Sequence, residues 1–179
     1  MVDYNSTFTG AQVDAAVEKD VDRGTRVRTI DMSTPATNYD LTIPEGIDMF
    51  SLAFHHLSVD TASQFAQLRL GVGGVLKTTG YTAYYGFHSG STPVVNLSTD
   101  AILLIGFDTG RTGYGKIDFQ RITGNEWAYA GVISGAVNAE INANLVGNFT
   151  MSGEIDTISL YATSGNIDGG GKASVYLHM

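Results

Sequence analysis

The residues able to do acid–base or metal chemistry are few and lie far apart along the chain. Without cysteine, the imidazole bases and nitrogen metal ligands are the four histidines His55, His56, His88 and His178. His55 and His56 are adjacent, and neighbours on a regular strand face opposite ways, so they are not expected to share an ion within one subunit. A trimer axis gathering three copies of one histidine is the other route to a site. Carboxylates offer a second chemistry. Glu154 and Asp156 are spaced to share one face of a strand, as are Asp118 and Gln120, and two separated carboxyls are the equipment of a glycosidase. Neither pair is flanked by the combination of further acid, base and aromatic residues that would build a cleft, and solvent-facing charges on a sheet account for them. Asn166 and Asp168 in SGNIDGGG loosely suggest a calcium loop, yet the spacing and terminal Glu of an EF-hand are missing, and a glycine-rich hairpin loop suffices. No G-x-S-x-G or H-E-x-x-H occurs, and Gly71-Val72-Gly73-Gly74 opens no helix of the phosphate-loop kind. The expectation is a non-enzymatic chain with no catalytic residue, no metal and no cofactor.

Aromatic residues are better placed for binding. Tyr81, Tyr84, Tyr85, Phe87 and His88 fall close together, and Trp127 with Tyr129 forms a second group. Tyr and Trp combine an apolar face with a polar tip, which suits a partly wet surface or the stacking of a sugar ring. Tyr84 and Tyr85 must point oppositely on a strand, so an outward member of Tyr81, Tyr84 and Tyr85 is the candidate glycan contact. Trp127, Tyr129, Gly131 and Ile133 share one strand face, and Trp127 is read as core.

The elements that would position these residues are mostly strands. The chain has 179 residues, of which 43% are apolar, enough for one sizeable core. Its 22 glycines against three prolines exceed the usual ~7% share of glycine and fit many tight turns. Net charge is −8, and no basic cluster exceeds Arg26 with Arg28, which argues against nucleic acid. No run approaches the roughly 20 apolar residues of a membrane-spanning helix, and MVDYNSTFTG lacks the layout of a signal peptide. Folding in a cytoplasm, with no membrane insertion, is expected.

Thr9 to Asp22 is the exception to the strand pattern. Thr9 with Gln12 makes a capping box, and Val13, Val17 and Val21 recur every fourth residue above small Ala11, Ala15 and Ala16. A helix of only about 13 residues is marginal alone and needs a partner. That partner is either the chain's own β-domain or the same helix of sister chains, the valines forming a parallel seam. The division expected is residues 1–24 as a helical stem or attachment segment and 25–179 as the β-domain.

Beyond Gly24, period-two alternation appears in Tyr39-Leu41-Ile43, Phe50-Leu52-Phe54 and Leu68-Leu70-Val72. Turns are expected at Asp108-Thr109-Gly110, Gly124-Asn125, Ser134-Gly135, Gly147-Asn148, Ser152-Gly153 and Ser164-Gly165-Asn166, a spacing of roughly 10 residues that predicts an antiparallel sandwich or barrel. Ala173, Val175, Leu177 and Met179 alternate to the last residue, so the chain's end should lie paired inside a sheet.

Two segments resemble bacteriophage virion appendage proteins. Phe8 to Lys19, FTGAQVDAAVEK, is similar to the F/Y-T-G-x-x-I/V-D-x-A-V segment near the stem of many phage fibre proteins. Gly153 to Tyr161, the glycine-rich Asn166 to Gly171 and the closing strand Ala173 to Met179 resemble the last strands of tail-fibre head domains, and Gly71 to Tyr81 fits the same style. The resemblance implies an all-β, antiparallel jelly-roll-like β-sandwich with a short N-terminal α-helix, assembled as a homotrimer. It further implies display on a virion assembled in the host cytoplasm, contact with other virion proteins, and adhesion to a host-surface glycan. The alternative is a capsid decoration or head-fibre protein that coats or braces the shell.

Overall fold

The computed structural model describes residues 25–61, 64–89, 92–107, 112–136, 141–167 and 170–178. The expected helix, its valines Val13, Val17 and Val21, and the Phe8–Lys19 segment lie outside the described residues, as do the Asp108–Gly110 turn, Asp168 and Met179.

Everything described is strand, turn or loop. Two antiparallel sheets face each other as a sandwich, and their strands run in chain order as β1 (Thr25–Met32), β2 (Asn38–Thr42), β3 (Met49–Leu57), β4 (Gln64–Val72), β5 (Val75–Leu76), β6 (Tyr81–Ser89), β7 (Thr92–Ser98), β8 (Ile102–Phe107), β9 (Thr112–Thr123), β10 (Glu126–Ala136), β11 (Ile141–Thr150), β12 (Thr157–Ala162) and β13 (Gly171–His178). The larger sheet has the order β1-β13-β3-β9-β10-β11-β6-β7; the smaller is β2-β12-β4-β5, with β8 also paired to β4. The pairings β1-β13-β3-β9 and β2-β12-β4-β8 are those of a jelly roll, because successive strands of this set cross between the sheets, except at β4 and β8, which pair within the smaller one, and close two Greek keys. The β6–β7 hairpin and β10–β11 are insertions that widen the first sheet to eight strands.

Alternation decides which side is dry. Phe50, Leu52 and Phe54 of β3, Ile117 and Phe119 of β9, and Val175 and Leu177 of β13 point inward against Leu68 and Leu70 of β4 and Ile158 and Leu160 of β12, all of them buried. Phe50 and Phe119 stack at 4.4 Å between ring centroids. Trp127 is fully buried beside Phe50, and Arg121 lies over its ring at 5.3 Å.

Gly124-Asn125 joins β9 to β10 as a two-residue hairpin, with Gly124 at φ 49°, the sign that a type II′ turn needs at its first central residue. Ser152-Gly153 and Ser164-Gly165-Asn166 also lie between strands, as expected. Ser134-Gly135 and Gly147-Asn148 do not turn; they run within β10 and β11, fully paired on both sides. At Gly147 the glycine serves packing instead. A Cβ there would strike the Thr82 carbonyl oxygen and stand 2.6 Å from the Tyr129 hydroxyl. Gly147→Ala is therefore expected to destabilise the fold by about 1–3 kcal/mol, the usual penalty of overpacking. Urea unfolding reads this as a lower midpoint at constant slope, and an unchanged midpoint would show that the sheet yields freely there.

Candidate functional site

One face of the eight-stranded sheet lines the core, and register arranges the other into rungs across the strands. One rung runs Tyr176–Ser51–Asp118–Ala130–Val146–Tyr84–Leu97, from β13 to β7. Beside it runs Ser174–Ala53–Lys116–Val132–Asn144–Gly86–Val95. The outer face thus has a polar half on β13, β3 and β9 and an apolar half on β10, β11, β6 and β7. Val95, Leu97, Val132 and Val146 are each more than half exposed, and Tyr84 is 43% exposed.

Two shallow depressions meet at Lys116. One, of ≈ 410 Å³, lies over Ser51, Ala53, Tyr176 and His178. The other, of ≈ 500 Å³, lies over Asp118, Ala130, Val132 and Asn144. The polar half holds a serine, an aspartate and a histidine, but their connections are not those of a hydrolase. Ser51 Oγ donates to Asp118 Oδ1 at 2.5 Å, His178 Nε2 lies 3.5 Å from the same hydroxyl, and Lys116 Nζ sits 2.7 Å from Asp118 Oδ1. A nucleophilic serine needs the histidine between itself and the carboxylate. Here the hydroxyl is committed directly to the carboxylate. Burial works to raise the Asp118 pKa, yet the hydrogen bonds from Lys116 and Ser51 and the charges of Lys116 and His178 outweigh it, and the net shift is downward. The cluster is a charged, hydrogen-bonded polar patch in which the serine, carboxylate and histidine are not connected in the order of a hydrolytic triad.

The three tyrosines expected at a glycan site are divided by the strand. Tyr84 faces outward; Tyr81 and Tyr85 are buried. Tyr81 accepts a hydrogen bond from the Leu70 N–H at 3.0 Å, and burial pushes its hydroxyl pKa up to about 12. Tyr85 packs on Phe87 at 5.2 Å. Neither is open to a sugar, which leaves Tyr84 as the outward aromatic of the trio. Trp127 is core, as its strand face predicted.

Glu154 and Asp156 are not on a strand, since β12 begins only at Thr157. Both are engaged in holding loops. Glu154 accepts from the Gly46 N–H at 2.8 Å and lies 3.7 Å from Arg121, while Asp156 accepts from the Gly73 and Gly74 N–H groups and from Thr157 Oγ1. Asn166 likewise serves a clamp rather than an ion: Asp60 accepts from its backbone N–H at 2.8 Å and its side-chain amide at 3.0 Å. His88 belongs to β6 by its backbone. His55 and His56 do not point apart, because a bulge interrupts β3 between Phe54 and Leu57.

Two of these carboxylates make a pH prediction. The hydrogen bond from Thr157 lowers the Asp156 pKa most, desolvation opposes it, and the Gly74 and Gly73 N–H groups add to the lowering, while the Asn166 N–H leads the lowering at Asp60. A carboxyl whose folded pKa is depressed stabilises the fold fully above its ordinary value of 3.8 and loses that contribution as the pH falls through the lower folded value. Acid unfolding monitored by circular dichroism should therefore be shallower in Asp156→Asn than in the parent between pH 3.8 and the lower folded value, with the parent more stable at neutral pH. Superimposable acid profiles would remove the Asp156 clamp from the stability of the fold.

No family model matches the chain, and no curated protein matches it. Among solved structures, one described as the structure of alginate lyase Aly36B aligns over 96% of this chain and 91% of its own, at 9% identity and a TM-score of 0.32. Likeness at that level carries no argument about activity.

Proposed function

We propose that the chain is a non-enzymatic bacteriophage virion structural protein whose jelly-roll head, displayed on the particle as a homotrimer, adheres to a host-surface glycan. The observation that carries the reading is the outer face of the eight-stranded sheet: broad and shallow, with outward Tyr84 in the same rung as the Ser51–Asp118 polar pair. Three strand spacings of about 4.8 Å separate Tyr84 from Asp118, so an extended ligand lying across the strands reaches an aromatic face at one end and charged groups at the other. The resemblance of Phe8–Lys19 and of the closing strands to phage fibre proteins supports the virion setting. The Ser51–Asp118–His178 connectivity and the loop duties of Glu154 and Asp156 support a binding rather than a hydrolytic role.

A second reading, a capsid decoration or head-fibre protein, is favoured by one feature of the same face. Val95, Leu97, Val132 and Val146 form an apolar half that suits another protein better than a sugar. Tyr84→Ala is expected to abolish adsorption to host cells while leaving the melting temperature unchanged, because Tyr84 is outward. Unchanged adsorption would remove the glycan site, and a label found on the head of intact particles would decide for decoration. Light scattering with and without residues 1–24 tests the stem. A trimer that falls to monomer on truncation assigns assembly to the Val13, Val17 and Val21 stripe, and a monomer in both states refutes the trimer.

A further inference from the structure

The bulge in β3 gives two adjacent histidines a common direction. Between the pairs Phe54–Gly115 and Leu57–Gly113, two residues of β3, His55 and His56, stand opposite one residue of β9, Tyr114. His56 has φ 64° and is the sole non-glycine residue in the left-handed region among the described residues. That conformation brings its ring to the side of His55. The imidazole centroids are 6.5 Å apart, and the Tyr114 ring lies 5.3 Å from His55 and 6.0 Å from His56, so the three rings form a near-regular triangle. The neighbouring strand is fitted to the bulge: a Cβ on Gly171 would stand 2.5 Å from the His56 carbonyl oxygen. His55 is exposed, His56 is half-buried, and Tyr114 is 36% exposed, so solvent reaches the triangle.

Glycine or asparagine suits a left-handed backbone better than histidine does. What histidine brings to that position is its imidazole, held beside a second one. Strained backbone of this kind concentrates at functional sites. We propose that His55 and His56 form a two-imidazole site for a divalent transition-metal ion, of the class of Zn²⁺, Ni²⁺ or Cu²⁺, for which neutral imidazole is a preferred ligand. Metal–nitrogen bonds of about 2.0–2.1 Å would set two ligating imidazole centroids roughly 5–6.5 Å apart, so small side-chain rotations suffice to close the pair. Among the described residues no third histidine or carboxylate joins the cluster. The ion therefore keeps open positions, for water, for the Tyr114 hydroxyl or for an oxygen donor of a bound ligand.

The test uses the full chain, titrated with Zn²⁺ and with Ni²⁺ by calorimetry and with Cu²⁺ by electron paramagnetic resonance. One ion per chain is expected, with Cu²⁺ showing hyperfine structure from two imidazole nitrogens. His55→Ala and His56→Asn should each weaken binding by more than about tenfold, a factor that even outer-shell partners of a metal carry. Asparagine is chosen because it tolerates the left-handed backbone, and a thermal melt at least equal to the parent's would confirm that the bulge survives. His55→Gln gives a second variant that leaves His56 and the bulge untouched. The proposal is overturned by no binding of any of the three ions, or by binding that persists in His55→Ala and in His55→Gln. Loss in the His55 variants with full retention in His56→Asn would overturn it too, since the ion would then rest on single histidines of different subunits.

Discussion

Deletion of Tyr176–Met179 is expected to abolish cooperative folding. β13 is no fringe of the jelly roll. It lies between β1 and β3, with Tyr176, Leu177 and His178 bonded in register to Val27, Arg26 and Thr25 on one side and to Ser51, Phe50 and Met49 on the other. Leu177 is fully buried, and burying one such side chain is worth about 1.5–3 kcal/mol. Removing the segment also strips ladder partners from two strands at once, at roughly 1 kcal/mol for each hydrogen bond and more for any donor left buried and unpaired. Together these losses are of the order of the whole stability of a domain, roughly 5–15 kcal/mol. The truncated chain should be insoluble on expression, or should lack a sigmoidal melt by circular dichroism. A soluble product that melts cooperatively would mean that β1 and β3 close the gap without β13.

Trp127→Ala is the second large effect. Trp127 is fully buried in β10, its ring centroid 5.8 Å from that of Phe50, and Phe50 stacks on Phe119, so the indole is continuous with the centre of the core. Arg121 covers it and at the same time reaches outward, donating to the Ile47 carbonyl at 3.1 Å and pairing with Asp48 at 3.2 Å. Truncation leaves a cavity and removes the platform under that guanidinium. The expected cost is about 3–5 kcal/mol. Because this is the chain's single tryptophan, unfolding should be followed by circular dichroism rather than by its fluorescence. A midpoint shift worth less than about 1 kcal/mol would show that neighbouring side chains collapse into the space.

The same two regions show why some of this molecule could be read from its residues. Alternation in Ala173-Val175-Leu177 and in Trp127-Tyr129-Ile133 depends only on the period-two geometry of a strand, and the structure buries every one of these side chains. Gly124-Asn125 was equally legible, since a tight hairpin needs a positive φ that glycine supplies. Gly147-Asn148 looked the same locally and is something else. Its glycine answers to Tyr129 across the ladder and to the carbonyl of Thr82, neither of which is near it in sequence.

The candidate face and the histidine pair were less accessible for a related reason. Ser51, Asp118 and His178 come from β3, β9 and β13, and no spacing along the chain announces that they touch. Likewise a strand rule that sends neighbours to opposite sides holds only while the ladder is regular, and one extra residue between Phe54 and Leu57 reverses it for His55 and His56. Local periodicity and turn chemistry are properties of a few consecutive residues, so the sequence alone determined the strand class, the inward faces and the outward direction of one of two adjacent tyrosines. Which strands become neighbours, in what register and with which bulge is settled by packing the whole core, and only the tertiary structure decided that Tyr84 shares a rung with Asp118 and that two histidines face one tyrosine.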